Sequence, residues 1–341
     1  NYYTIANVDG KPSFVFSSKG NERITWETVG SLNAGVEFEL FNNRLSGGIE
    51  FYSRTTRDML MFFSTPLSIG YSGYYDNVGD MRNTGIEVQL NADVISTSDF
   101  TWNLGLNLTW QRNRVTYLPE EKKLAIEGGH AGYLDGELFY GEGLPVLTWR
   151  MKKYAGVSNE GKALFYYTAD DGSLATTETY QDGDYYLCGS ALPDVFGGFN
   201  TTFRFFGVDL SAQFNYSIGG KKYDSVYSSM MTAPWSGITG NPIHKDVFNS
   251  WSPENNTSNI PIWQYDYYAG TNTSDRFLTD ASYIGLRNIS LGYTFPESLT
   301  RPLHMSNLRI FCQAENIYYW SKRKGFDPRM GSMYGNCLLY T

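Results

Sequence analysis

The sequence predicts an all-β chain, folded as part of the wall of an antiparallel transmembrane β-barrel. Three observations carry that prediction. Apolar and polar residues alternate with a period of two over many segments, which is the pattern of a strand with two different faces. Short polar turns alternate along the chain with long excursions, the rhythm of a barrel with tight turns at one rim and long loops at the other. The composition is rich in aromatics (Tyr 27, Phe 21, Trp 8) and Gly (35), with only 12 Pro in 341 residues, which suits strands joined by turns rather than helices. No run of about 18 apolar residues is present, so the sequence holds no transmembrane helix. A mean hydropathy of -0.37 is compatible with a membrane barrel, because alternation averages the two faces.

Most of the strands follow from their own alternation. In 31–40, Leu32, Ala34, Val36, Phe38 and Leu40 share one face against Asn33, Gly35, Glu37 and Glu39. The Phe41-Asn42-Asn43-Arg44 turn leads into 45–54, where Leu45, Gly47, Ile49 and Phe51 continue a face, so the pair reads as a hairpin. The segments 83–95 and 100–113 repeat the arrangement around Ser96-Thr97-Ser98-Asp99, with Phe100, Trp102, Leu104, Leu106, Leu108 and Trp110 on one side. Segments 145–156 and 162–168 read as a fifth and sixth strand around a turn at 157–161. Strands 195–205 and 208–218 meet at Phe206-Gly207. The last two are 282–295 and 307–317, joined across 296–306. Within 282–295 the apolar phase switches between Leu286 and Ile289, and one extra residue near Arg287-Asn288 accounts for it, a β-bulge. The long excursions are 54–82, 114–145, 169–194 and 219–281, and loops of that length are usually functional.

The same residues exclude several classes of function. A net charge of -8 argues against nucleic acid, whose phosphates require a basic face. Cys188, Cys312 and Cys337 are too few and too scattered for a disulfide framework or a metal motif. His130, His244 and His304 stand apart, without ligands at metal spacing, and the sequence contains no nucleophile elbow, Walker loop or HExxH. Asp170-Asp171-Gly172 and Asp182-Gly183-Asp184 lack the Glu that completes an EF-hand and read as solvated turns. No enzyme, no metal and no cofactor is therefore expected. Asn1 opens no signal peptide, and the start of the protein is read as lying upstream.

Three stretches resemble the SusC/RagA family of TonB-dependent transporters of Bacteroidetes-type bacteria: Asn77-Val78-Gly79-Asp80-Met81-Arg82-Asn83-Thr84-Gly85-Ile86-Glu87-Val88, the run from Asp280 to Pro296, and the run from Leu308 through Ala314-Glu315-Asn316-Ile317 to Lys324-Gly325-Phe326-Asp327-Pro328. Weaker matches are Trp26-Glu27-Thr28, Tyr52 through Arg57-Asp58-Met59-Leu60, and Ala155-Gly156-Val157. They occur in family order over nearly the whole chain. The resemblance implies a 22-stranded barrel with a plugged lumen, of which residues 1–341 supply about ten C-terminal strands. It also implies a location in the bacterial outer membrane, a SusD-like surface lipoprotein as partner, and energy from TonB through a plug region. The plug domain and the final strand are expected to lie outside this sequence, and Met330–Thr341 departs from the family's aromatic final strand.

Two readings stand for the motif stretches. Asn77–Glu87 is a ligand or partner contact, or a loop-to-strand transition in which Gly79 and Gly85 supply backbone freedom and Arg82 pairs with Asp80 or Glu87. Lys324–Pro328 is a plug or partner contact or a turn set by Gly and Pro. Aromatics crowd the long loops, and rings that stack on sugar faces or anchor interfaces make Tyr74, Tyr75, Tyr133, Tyr140, Tyr185, Tyr186, Trp235, Trp263 and Tyr267 the candidate substrate-binding residues. The competing readings are packing that orders the loops and an interfacial aromatic girdle. The function that follows is TonB-dependent import of oligosaccharides or peptides, with outer-membrane lipid around the barrel. The alternatives are a passive porin or adhesin barrel, and a soluble carbohydrate-binding β-protein.

Overall fold

The computed structural model describes residues 2–65, 67–71, 73–234, 240, 242–267 and 269–329. Trp235, Tyr268 and the Met330–Thr341 tail lie outside the described residues.

Eight long strands make one sheet: β1 (Thr28–Leu40), β2 (Leu45–Arg57), β3 (Asp80–Ser96), β4 (Phe100–Tyr117), β5 (Val195–Phe205), β6 (Val208–Ile218), β7 (Tyr283–Thr294) and β8 (Arg309–Ser321). Their order in the sheet is their order in the chain, an up-and-down meander. It follows that the connections β1–β2, β3–β4, β5–β6 and β7–β8 gather at one end, and the three long ones at the other. The tight turns are built for that geometry. Phe41, Asn42 and Asn43 all take positive φ (55°, 56°, 63°), a conformation Asn tolerates better than most residues. Phe206 and Gly207 take φ 48° and 83°, the paired left-handed geometry that matches strand twist in a two-residue hairpin.

The predicted bulge is where the phase switch put it. On β7, Gln213 pairs with Asn288 and Phe214 with Leu286, so Arg287 is the extra residue. On the β8 side the register also shifts, with Leu286 opposite Tyr318 and Asn288 opposite Glu315. Asn316, at φ 51°, lies in that gap and accepts a hydrogen bond from Arg287 Nη1 at 3.0 Å.

Two predicted strands do not join this sheet. The segments 145–156 and 162–168 break into Thr148–Lys152, Tyr154–Val157 and Ala163–Thr168, and the last two form a small sheet with Leu174–Thr177. The turn at 157–161 therefore belongs to the long-loop end. The main sheet has eight of the ten predicted strands because everything from 118 to 194 is a single excursion between β4 and β5.

The described residues divide into two compact units. The first comprises residues 1–34, 51–85 and 111–148. It contains the hairpins Tyr2–Val8/Lys11–Ser18 and Leu60–Ser64/Gly73–Asn77 and the meander Ala125–Glu127, His130–Asp135, Leu138–Gly141. Its core includes Met59, Val78, Val115, Leu118, Phe139 and Tyr133. The second comprises residues 35–50, 86–110 and 149–341, with Trp149, Met151, Phe165 and Phe277 fully buried.

Candidate membrane face and loop aromatics

The register of β4 to β8 places the alternating residues in rows across the sheet. Phe100, Phe205, Val208, Tyr293 and Ile310 form the row at the short-turn end. Leu104, Thr201, Ala212, Ile289 and Ala314 form a middle row. Leu108, Gly197, Tyr216, Ile284 and Trp320 lie toward the loop end, with Trp110 beyond. Both margins of this face carry aromatics; the Leu104 row is aliphatic or small, and the row beside it aligns Leu106, Phe199, Phe214, Leu286 and Tyr318. Ile310 (62%), Leu291 (53%) and Trp320 (50%) remain exposed on it. The rings interlock: Trp102 stacks on Phe203 at 5.6 Å and Phe199 on Phe214 at 4.5 Å. Trp102 Nε1 donates to Thr201 Oγ1 at 3.0 Å, which satisfies the indole within the sheet face. From Phe100 to Trp110 the strand runs roughly 33 Å at about 3.3 Å per residue, or about 25 Å across a bilayer at a tilt near 40°. That is the height of a barrel's apolar band.

The opposite face is polar and internally bonded. Arg309 clamps Asp209 with two hydrogen bonds of 3.1 and 2.6 Å, and Asn103 donates to Asp93. A Cβ on Gly105 would collide with Asn200 Oδ1, so close approach requires glycine there.

In the first unit the motif from Asn77 is structural. Asn77 Nδ2 donates to the carbonyls of Thr25 (3.1 Å) and Asp58 (2.6 Å), while its Oδ1 accepts from Thr25 N at 2.8 Å. Arg82, expected to pair with Asp80 or Glu87, donates through Nε to Thr55 Oγ1 at 3.2 Å. Asp80 instead accepts from the backbone N of Asp58 at 3.1 Å.

The structure sorts the loop aromatics into separate groups. In the first unit Tyr133 and Tyr140 stack at 5.0 Å, and Phe63 links Tyr133 (5.2 Å) to Tyr74 (6.0 Å). Lys122 Nζ lies 3.8 Å from the Phe63 ring centre and 2.5 Å from Asp76 Oδ2. Tyr133 and Tyr140 are only 3% and 5% exposed, whereas Tyr75 is 60% exposed and packs on Phe62. Burial, with the Asp135 charge, pushes the Tyr140 hydroxyl up to about 12, and burial moves Tyr133 the same way. In the second unit Arg150 lies 3.7 Å over Tyr185, which is 38% exposed. Lys152 reaches both Tyr180 and Tyr185 at 4.8 Å and donates to the carbonyls of Gln181 and Gly183. Tyr186 lies beside Lys153. Trp263 and Tyr267 line a pocket with Ser250, Ile262, Gly270 and Arg276, and the Tyr267 hydroxyl accepts from Ala163 N at 2.8 Å.

Asp171 and Asp184 cap backbone amides of Ser173 and Thr168, as solvated turns require. Among the described residues no group of three His, Cys, Asp or Glu is placed to hold a metal. Lys122, Phe63, Arg150 and Lys152 were not singled out by sequence reasoning, because cations placed over rings leave no local pattern.

Comparison with known proteins agrees with this architecture. Residues 1–159 match the family described as TonB dependent receptor-like, beta-barrel. TonB-dependent receptor SusC of Bacteroides thetaiotaomicron is 28% identical over 325 residues, covering 92% of this chain and 30% of SusC. TonB-dependent receptor P3 of Formosa agariphila is 27% identical over 325 residues, covering 92% of this chain and 32% of that protein. A chain of the RagAB peptide transporter structure superposes with a TM-score of 0.83 at 27% identity, over 98% of this chain and 37% of that one. The chain thus spans about a third of the length of the curated relatives it matches. The apolar band, the loops gathered at one end and these matches together make the chain similar to the β-barrels of TonB-dependent outer-membrane receptors such as SusC and RagA.

Proposed function

We propose that this chain forms part of the barrel of an importer that takes up oligosaccharides or peptides, works with a SusD-like surface lipoprotein and is driven through TonB. The observation that carries the reading is the apolar band on a meander whose long loops all leave from one end, on a sequence related to SusC and to RagA. The chain supplies no covalent chemistry. It closes backbone hydrogen bonds within lipid, where an unpaired group costs several kcal/mol, and it presents loops to the outside.

Tyr75 and Tyr185 are the rings offered to cargo or lid, because they combine exposure with a supporting neighbour, Phe62 and Arg150 respectively. Tyr74, Tyr133 and Tyr140 hold the first loop group in shape, and Tyr186, Trp263 and Tyr267 serve the second unit in the same way. Trp235 is proposed as a further contact on sequence grounds. RagAB is named a peptide transporter, and the exposed rings suit sugar faces equally well.

Deleting the gene and measuring growth on defined oligosaccharides and on peptides tests the reading. Growth lost on one class and restored by the intact gene, but not in a strain lacking TonB, is the expected result. Unchanged growth on both classes contradicts it. Tyr75→Ala and Tyr185→Ala are each expected to lower uptake several-fold, since a ring contact is worth about 0.5–1.5 kcal/mol, with receptor levels in the membrane unchanged. Uptake unaffected in the double variant would remove these rings from the site.

A further inference from the structure

The second unit carries a basic groove of about 540 Å³ lined by His244, Lys245, Asp246, Leu278, Thr279, Asp280, Lys322, Arg323 and Lys324. It stands out on a chain whose net charge is -8. Both carboxylates in it accept hydrogen bonds from neighbouring groups and keep their charge. Asp246 accepts from the Tyr227 hydroxyl at 2.9 Å and lies 3.3 Å from His244 Nδ1. Asp280 accepts from the Ser282 backbone N (2.8 Å) and hydroxyl (2.6 Å). Arg323 is held in place, its guanidinium 3.8 Å over the Tyr227 ring and 3.6 Å from the buried Asp224. Lys245, Lys322 and Lys324 are exposed and make no ion pair among the described residues. The groove thus gathers three exposed ammonium groups around one held guanidinium, with Asp246 and Asp280 offsetting part of their charge and Lys322 acting on Asp280, so that cations still outnumber carboxylates.

We infer that this groove binds a phosphate monoester. Three compact point charges beside a planar fork suit a tetrahedral dianion better than a single planar carboxylate, and a phosphate monoester carries about -1.5 to -2 at neutral pH. Its place in the fold indicates the source. Trp320 ends the apolar face of β8 opposite Ile284, and Lys322 follows two residues later, roughly 7 Å further along the chain. Basic side chains just beyond an aromatic margin lie at the level of lipid headgroups, where basic pockets hold anionic lipid. A phosphate-bearing headgroup is the occupant this position favours. That placement rests on the barrel reading above; the charge argument does not.

The test uses the full-length receptor in detergent, with heat-modifiable migration as a separate check that the barrel has formed. Wild type and a Lys322→Gln/Lys324→Gln double variant are titrated with glucose 1-phosphate in solution and with mixed micelles carrying phosphatidic acid, a lipid phosphate monoester. Binding is expected to weaken by about thirtyfold in the Gln variant, from loss of two lysines near a charged surface, and to persist in Lys322→Arg/Lys324→Arg. Binding of phosphatidic acid micelles alone assigns the site to a lipid headgroup, and binding of glucose 1-phosphate as well assigns it to a soluble phosphosugar. Absence of binding by both, or equal binding by wild type and Gln variant in barrels that migrate normally, overturns the proposal. A wild type that fails to migrate as a barrel counts against the barrel reading instead.

Discussion

At the scale of single residues, two positions in the family-like stretches show why those stretches read as they do. Gly79 has φ 131°, and a Cβ there would fall 2.1 Å from the carbonyl oxygen of Tyr117. Both backbone conformation and space exclude any other residue, so Gly79→Ala is expected to cost about 1–3 kcal/mol in strain. A lower urea midpoint for the reconstituted receptor checks this, and an unchanged midpoint contradicts it. Asp327 is the second position. It is 2% exposed and accepts from Arg329 Nε at 2.9 Å and Nη2 at 2.8 Å, and Lys222 Nζ donates to the neighbouring Pro328 carbonyl at 2.9 Å. Burial pushes its carboxyl upward, but the Arg329 hydrogen bonds and the charges of Arg329 and Lys222 outweigh that, and the folded value lies below the ordinary one. The pair therefore contributes fully above the ordinary aspartate range, and its contribution is lost as pH falls through the lower folded value. Asp327→Asn is expected to cost on the order of 3 kcal/mol by leaving Arg329 without its partner, and to abolish the acid-side loss of protease resistance in this loop. Protection that fell with acid in the variant as it does in the wild type would reject that assignment. Sequence alone offered a turn or a partner contact for this stretch; the buried pair decides for the turn, because Arg329 lay outside the motif and gave no sign of pairing back.

At the scale of elements, the strands were legible wherever a face was constant. The bulge at Arg287 could be placed from the sequence because an extra residue flips every later side chain to the other face, and nothing else produces that phase change. The segments 145–156 and 162–168 also read as strands, yet they serve small sheets in the β4–β5 loop. Period two reports that a strand has two faces, not which sheet it joins. The hairpin Leu60–Ser64/Gly73–Asn77 was missed for a related reason, since its run of Leu, Met and Phe shows no alternation at all. The loop aromatics were found as a set, but whether a ring would be buried like Tyr133 or presented like Tyr75 depends on neighbours distant in sequence. The band itself yields a graded prediction. Ile289 lies in its middle row and Tyr293 in its margin row. Arg at the midplane of a barrel costs roughly 2–4 kcal/mol and near the interface about 0–1. Ile289→Arg is thus expected to destabilise the reconstituted receptor by several times more than Tyr293→Arg in urea titrations, and equal costs would contradict the assigned depths.

At the scale of the whole molecule, the account stands on one claim: the face carrying Leu210, Ala212 and Phe214 meets lipid, and the face carrying Ser211, Gln213 and Asn215 does not. An import function, a lipoprotein lid and a headgroup groove each presuppose it. The direct measurement places single spin labels at positions 210 to 215 of the full-length receptor in bilayers, with Cys188, Cys312 and Cys337 replaced, and records collision with oxygen and with a polar relaxation agent. The account predicts oxygen accessibility high at 210, 212 and 214 and low at 211, 213 and 215, with strict alternation. A profile that lacks the two-residue period, or that places 211, 213 and 215 in lipid, contradicts it.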